Sequence, residues 1–173
     1  MITGGHIAAS YLIAEGSKAL GVPLDSNQVL GVVIAGNLPD LDFLVGLVNG
    51  RKGEQHHQNI THTPIGVLLM WLVIVILFKT WSGLSLVLLV TMIAHLFLDD
   101  LGHMAAKLGI YKRVANPQIN WLYPFTPYSN HKLIMGTKDV LRHYLVEGWS
   151  VAVLEGTLII LALIVFLIKY AGL

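Results

Sequence analysis

Residues 63–99 read TPIGVLLMWLVIVILFKTWSGLSLVLLVTMIAHLFLD, and this stretch decides the fold class. Thr63 can cap a helix that begins at Pro64, because proline is well suited to the first helical position. Lys79 is the single Asp, Glu, Lys or Arg residue in 64–98, and it lies in a short turn. The stretch therefore predicts a hairpin of two strongly apolar helices, 64–78 and 84–100.

Two further helices are predicted before this hairpin. The segment 2–20 has an apolar stripe and is stopped by Gly21 and the proline that follows. The segment 27–38 opens with the capping pair Asp25 and Gln28 and is ended by the proline at position 39, because the residue before a proline is pushed out of the helical region. Polar loops, 39–62 and 101–137, connect these helices to the later ones.

The last predicted helix covers 138–170 and is strongly apolar over 151–168. Glu155 lies inside that apolar run, and we expect it to be buried with a polar partner. A hydrocarbon core of about 30 Å needs about 20 helical residues, which this helix provides. The hairpin helices are slightly short for a span, and 27–38 is shorter still and also typical of a buried helix. The number of spans is left open.

The composition favours a membrane protein. Of the 173 residues, 55% are hydrophobic and 12% are charged, whereas soluble domains carry about 25% charged residues. Residues 1–14 contain no Lys or Arg, so we expect no cleaved signal. The length suits one domain, which covers residues 1–173. The formal net charge of +1 argues against a nucleic-acid partner. We therefore expect an all-α, membrane-embedded helical bundle.

If successive helices cross the membrane in alternating directions, most polar residues lie on one side of the membrane. All eight histidines fall at or near that face, and of 11 Lys and Arg residues only Lys18, Lys79 and Lys169 fall on the other. The positive-inside rule then places the His-rich face in the cytoplasm. Long loops hold more polar residues in any case, which accounts for part of the bias.

The most informative local pattern is His95-Leu-Phe-Leu-Asp99. Residues four apart share a helix face, so the imidazole and the carboxylate can bind one cation. His95 also lies in an apolar run, where an ionisable residue indicates function. A neutral histidine bonded to a neighbouring helix is the alternative. His103 continues the series if the helix persists beyond Gly102.

Two more motifs bring ligand-type side chains to the same face. Asp40 and Asp42 come where an apolar helix ends, and paired carboxylates can bind a cation or supply a base, although an acid after a proline is also ordinary turn chemistry. His62 directly precedes a helix start and is better placed than His57, which is equally compatible with an ordinary loop position.

Weaker candidates lie elsewhere on the predicted face. His143 and Glu147 are four residues apart on a helix, a spacing that fits a ligand pair or an ordinary helix-stabilising pair. His6 lies early in the first helix and His131 lies in an aromatic loop. Because the chain has no cysteine, disulfides and thiolate sites are excluded, and any metal must be held by nitrogen and oxygen atoms.

The ordered set of motifs resembles the YdjM family, whose members are bacterial and archaeal inner-membrane proteins described as metal-dependent hydrolases. The matching segments are His6, GNLPDLD at 36–42, HQNITHT at 57–63, His95 to Asp99, and YPF at 123–125. Gln58 stands where the family usually has Arg, and Thr63 replaces Ser. If that Arg binds a substrate phosphate, the substrate class of this chain differs. More remotely, the pattern is similar to zinc-dependent phospholipase C and the single-strand-specific zinc nucleases, whose helical His/Asp clusters hold zinc.

These resemblances imply a multi-pass metal-dependent hydrolase of a bacterial or archaeal inner membrane. Its active face would be cytoplasmic and its substrate a phosphoester or a lipid-linked, phospholipid-like molecule. One or two divalent cations, which we expect to be zinc, would activate a water. The expected metal ligands are His6, Asp40, His57, His62, His95 and Asp99. The expected ligands of a second ion are His103, His131, His143 and Glu147. Asp42 or Asp100 would accept a proton, and Lys132 or Arg142 would neutralise an anionic substrate group.

Two non-enzymatic alternatives use the same features. A metal carrier or sensor would have ionisable ligands spread through the depth of the bilayer, whereas nearly all of those here lie at one face. A membrane scaffold would recruit a cytoplasmic protein partner, which the sequence does not identify, and would need no metal.

Overall fold

A computed structural model describes residues 3–41, 59–109, 119–126 and 149–172. The helices in these ranges are α1 (Thr3–Ala19), α2 (Ser26–Gly36), α3 (Pro64–Phe78), α4 (Gly83–Lys107) and α5 (Trp149–Tyr170). Two short 3-10 turns, Leu38–Asp40 and Ile60–His62, follow α2 and precede α3. The described residues contain no strand, so the all-α prediction is confirmed.

Both predicted helix caps are present. At α2, the Asp25 side chain accepts a hydrogen bond from the backbone N–H of Gln28, whose side chain accepts one from the N–H of Asp25. At α3, the hydroxyl oxygen of Thr63 accepts a hydrogen bond from the N–H of Gly66. The α-helical part of α2 ends at Gly36, slightly before the expected boundary, because the chain tightens into a 3-10 turn around Pro39.

Helix α4 is longer than the sequence predicts. It continues from the expected end at residue 100 to Lys107, straight through Gly102. A glycine inside a helix costs only about 1 kcal/mol relative to alanine. Asp100 and His103, on either side of Gly102, are buried in the bundle. His103 therefore lies on the same helix face as His95. The predicted start of the last helix, 138–148, lies outside the described residues.

Specific contacts fix the direction of each helix. Near the start of α1, the N–H of Gly5 donates to the Glu155 carboxylate at 3.0 Å, and near its end Glu15 pairs with Lys169 at 2.6 Å, so α1 and α5 run parallel. The burial and polar partner predicted for Glu155 are confirmed. Because α1 contacts α4 through His6 and Asp99, near the start of one and in the second half of the other, these two helices run antiparallel.

Buried apolar side chains hold the helices together. One cluster joins α1, α2 and α4 through Ala14, Val32 and Val87. A second cluster joins α3 and α4 through Val67 and Met92. At the α3–α4 turn, the indole N–H of Trp71 donates to the carbonyl oxygen of Ser85 at 2.7 Å. The sharp hairpin predicted from the apolar stretch is thus fixed by packing and by a hydrogen bond.

Within the described ranges, two helical segments are long and apolar enough to cross a membrane, Gly83–Ala105 and Trp149–Tyr170. The first lies partly inside the bundle, whereas only 6% of the most apolar window of the second is fully buried. The second helix packs against α1 on one side, and its exposed apolar side is suited to contact with lipid. The helices Ser26–Gly36 and Pro64–Phe78 are shorter.

Candidate metal centre

Four chain segments that are distant in the sequence meet at one end of the bundle. Because the helices alternate in direction, the starts of α1 and α3 lie beside the end of α2 and the second half of α4. Each segment contributes ligand-type side chains at this end. They are His6 from α1, Asp40 from the turn after α2, His62 from the turn before α3, and His95 and Asp99 from α4.

Four of these side chains point their ligand atoms at one another. One atom from each of Asp40, His62, His95 and Asp99 lies within 4.8 Å of the other three. Nε2 of His62 is 3.4 Å from Oδ1 of Asp40 and 3.8 Å from Oδ2 of Asp99. Nε2 of His95 is 3.4 Å and 3.2 Å from the same two oxygens.

These distances fit a single divalent metal ion. Zinc bonds to histidine nitrogen and carboxylate oxygen of 2.0–2.2 Å imply neighbouring ligand atoms about 3.4 Å apart in a tetrahedron. The four nitrogen-to-oxygen separations lie close to that value. The donors are two imidazoles and two carboxylates, a set that zinc and similar cations accept. This group could therefore hold a metal ion.

A hydrogen bond to the backbone fixes the orientation of the His95 ring. Its Nδ1 atom donates a hydrogen bond to the carbonyl oxygen of Gly36 at 2.8 Å, and its Nε2 atom points at the candidate centre. Within the described part of the chain, the buried Nε2 atom has no well-aligned hydrogen bond, although it faces two carboxylate oxygens. A backbone acceptor behind a histidine is the usual way in which proteins orient a metal-binding imidazole.

His6 contacts the group without being one of its four members. Nε2 of His6 lies 2.9 Å from Oδ1 of Asp99, the oxygen that does not face His62 and His95. The His6 ring also stacks on the His95 ring, with centroids 3.9 Å apart. The structure thus places His6 beside the centre, where it supports one carboxylate and one imidazole.

Asp40 is the accessible member of the set. Its side chain is 21% exposed, whereas those of the other three members are almost completely buried. Burial disfavours the charged carboxylate, but contact with His62 and His95 outweighs burial and holds the pKa of Asp40 well below its usual range. Asp40 could therefore supply an ionised oxygen at the open side of the group.

Asp100 and His103 are buried close to the centre but outside the four-membered group. Asp100 accepts a hydrogen bond from the indole N–H of Trp121 at 2.8 Å, and the Trp121 ring packs on Phe97. This contact ties the segment 119–126 to α4. The proposed roles of Asp100 as a base and of His103 as a ligand of a second ion stay predictions.

The remaining predicted site residues lie outside the described ranges. They are Asp42, His57, His131, Lys132, Arg142, His143 and Glu147.

Two glycines that the sequence reasoning did not single out allow the segments to approach. A Cβ atom at Gly36 would collide with Ser10 of α1 and Thr91 of α4, and one at Gly66 would collide with the carbonyl of Ile60 in the turn that carries His62. Both glycines could have been picked out in the sequence by their closeness to candidate ligands. Gly36 lies four residues before Asp40, and Gly66 lies four residues after His62.

A family model described as YdjM inner membrane protein matches residues 1–173, the whole chain. The chain belongs to the YdjM inner membrane protein family. The resemblance inferred from the motifs is therefore confirmed at the level of the family. Together with the two long apolar helices, membership of the YdjM family identifies an inner membrane protein. The YdjM description names a location and no reaction. No curated protein and no solved structure matches the chain.

Proposed function

We propose that this YdjM-family chain is a membrane-embedded, metal-dependent hydrolase that cleaves a phosphoester. The observation that carries the proposal is the convergence of Asp40, His62, His95 and Asp99, whose ligand atoms lie within 4.8 Å of one another. Three of these ionisable side chains are buried at the end of an apolar bundle. Ionisable groups in such surroundings are costly unless they bind a cation or one another.

A divalent metal bound by these residues, for which we propose zinc, would lower the pKa of a coordinated water and polarise a phosphoryl oxygen. The chain supplies the conditions for that chemistry. The carbonyl of Gly36 keeps His95 in one tautomer, and His6 holds the outer oxygen of Asp99. Both contacts limit the freedom of ligand atoms before any ion binds.

The open side of the centre is where we place the substrate. Asp40 is more exposed than the other members of the group, so a substrate would approach beside it. Asp42, two residues farther along the chain, is our proposed proton acceptor. Lys132 and Arg142 remain the proposed contacts of an anionic substrate group. We further propose that this end of the bundle faces the cytoplasm and that the chain crosses the membrane more than once.

Elemental analysis of detergent-purified protein is the first test. We expect one or two zinc ions per chain in the unsubstituted protein and a clear loss in His62→Ala and Asp40→Asn. Asp25→Asn is the matched control, because Asp25 lies at the opposite end of α2 and asparagine caps a helix as well as aspartate does. Equal zinc content in Asp40→Asn and Asp25→Asn would count against the centre.

Hydrolysis is then assayed with phosphoester and phospholipid substrates, with and without a chelator. We expect turnover that the chelator abolishes and zinc restores, and that His62→Ala lacks. The alternatives give other results. A carrier would bind zinc and move it into sealed vesicles without hydrolysis, and a scaffold would contain no stoichiometric metal.

A further inference from the structure

An open apolar groove of about 450 Å³ lies between α1, α4 and α5. Its lining includes Leu12 from α1, Phe97 from α4 and Leu158 from α5, and all of the lining residues that the structure describes are apolar. The groove opens between the two segments that are long enough to span a membrane. In a bilayer, hydrocarbon chains would therefore contact it from the side.

The groove adjoins the metal centre. A closed space with no room for a water molecule, lined by His6 and His95, lies next to it, and both spaces are lined by Ala9, Ile13, Ala94 and Leu98. The wall between the apolar groove and the two histidines thus consists of two alanines and two larger apolar side chains. The groove also reaches deeper into the bundle than the centre does, since Leu12 follows His6 by six residues, or about 9 Å along a helix axis.

We infer that the substrate is a bilayer lipid whose hydrocarbon tail lies in this groove while its phosphoester group reaches the metal centre. The inference rests on the proposed function and adds the substrate class and the route of entry. An apolar tail gains free energy for each methylene group that packs against the groove. Because the groove shares a wall with the space beside His6 and His95, a tail in the groove lies close to the centre, and a lipid could enter sideways from the bilayer and need not leave it.

The test places a bulky side chain in the groove, on the helix that contributes no residue to the metal centre. Leu158→Trp adds an indole to the groove wall on α5 and leaves every residue of the centre unchanged. Leu163→Trp is the matched control, because Leu163 lies on the same helix, is 54% exposed and does not line the groove. Leu12→Trp fills the groove from α1 and serves if Leu158→Trp does not fold.

Three substrates distinguish an effect on tail binding in the groove from an effect on the hydrolytic reaction. They are a long-chain diacyl phosphoester, a polyprenyl phosphoester and a short, water-soluble aryl phosphoester. We expect Leu158→Trp to lower kcat/KM for one or both long-chain substrates by about tenfold, the equivalent of about two methylene groups left outside the groove. Turnover of the short substrate and all rates of Leu163→Trp should stay unchanged. The better of the two long-chain substrates identifies the kind of tail.

A second measurement does not depend on turnover. Native mass spectrometry of metal-free protein after delipidation should detect one retained lipid in the unsubstituted protein and in Leu163→Trp, and less in Leu158→Trp. Equal long-chain turnover in the two variants would overturn the inference, even if lipid retention differed, because the lipid would then be structural. Cleavage of the short substrate alone would overturn the inference but not the proposed hydrolase. Cleavage of none of the three would overturn both.

Discussion

Nδ1 of His95 donates a hydrogen bond to the carbonyl oxygen of Gly36 at 2.8 Å, and this contact links helix packing to the metal centre. Gly36 lies where α2 approaches α1 and α4, with Ser10 and Thr91 occupying the space that a side chain would need. The orientation of one candidate ligand therefore depends on the absence of a methyl group in another helix.

Gly36→Ala should disturb the geometry of the candidate metal centre, although it changes none of the candidate ligands. The added methyl group must push α2 away from Ser10 and Thr91, which costs about 1–3 kcal/mol of unfolding free energy and disturbs the bond to His95. Loss of such a supporting bond typically lowers metal affinity by about 10–100-fold. Thermal unfolding in detergent and zinc titration with a competing chelator measure both effects.

Gly31→Ala provides the control for that experiment. Gly31 lies in the same helix with nothing within 4 Å of an added Cβ, so alanine there should stabilise α2 slightly and leave zinc affinity unchanged. If Gly31→Ala and Gly36→Ala behaved alike, close packing at Gly36 would not be what positions His95.

Gly66→Ala should act on the opposite side of the centre. The carbonyl of Ile60 occupies the space next to Gly66, so a methyl group there must displace the 3-10 turn Ile60–His62. We expect His62 to shift and zinc affinity to fall at least about tenfold, because a misplaced ligand no longer completes the coordination. Gly156→Ala, in open space on α5, is the matched control. An unchanged affinity in Gly66→Ala would show that the turn adapts without moving His62.

Much of this architecture could be predicted from the sequence, because its signals are local. The capping residues Asp25 and Thr63 and the apolar hairpin predict helix starts and turns correctly. The spacing of His95 and Asp99 predicts a shared helix face, and the structure brings their side chains to 3.2 Å. Alternation of the helices is enough to bring the ends of several helices to one side of the bundle.

Other features depend on tertiary contacts and have no local signal. Gly102 looks like a helix stop, but α4 continues through it, and the indole N–H of Trp121 from a distant segment donates to Asp100 there. Similarly, nothing in the sequence around His6 tells a ligand from a neighbour of a ligand. That distinction depends on which oxygen of Asp99 His6 faces, and this is a property of the packing of α1 on α4.

His6→Ala tests whether His6 is a metal ligand or a residue that supports the ligand Asp99. The sequence predicts a ligand, whereas the structure places His6 against the outer oxygen of Asp99. A supporting role predicts zinc affinity reduced by about 10–100-fold, with full occupancy restored at high zinc concentration. X-ray absorption at the zinc edge should then count the same number of histidine ligands in the variant as in the unsubstituted protein. One histidine fewer in the His6→Ala spectrum would show that His6 is a ligand.

Glu155→Leu tests how α1 is anchored. The buried carboxylate accepts a hydrogen bond from the N–H of Gly5, in the first turn of α1, which has no partner of its own within the helix. Leucine would leave that buried N–H without its acceptor, at a cost of about 1–3 kcal/mol. Glu155→Gln keeps an acceptor oxygen and should lose much less stability. Thermal unfolding in detergent compares them, and equal losses would mean that the bond to Gly5 contributes little.

Zinc binding should weaken on acidification, and the histidines rather than Asp40 should be responsible. Histidine must be neutral to bind a metal, so lowering the pH from about 7.5 to about 5.5 makes protons compete more strongly with zinc. The pKa of Asp40 is held well below its usual range by His62 and His95, so its carboxylate stays ionised throughout this interval. Chelator competition at the two pH values measures the change, and we expect the zinc affinity to be clearly lower at the more acidic value. An affinity that stayed equal at both values would contradict the assignment of the histidines as the proton-sensitive ligands.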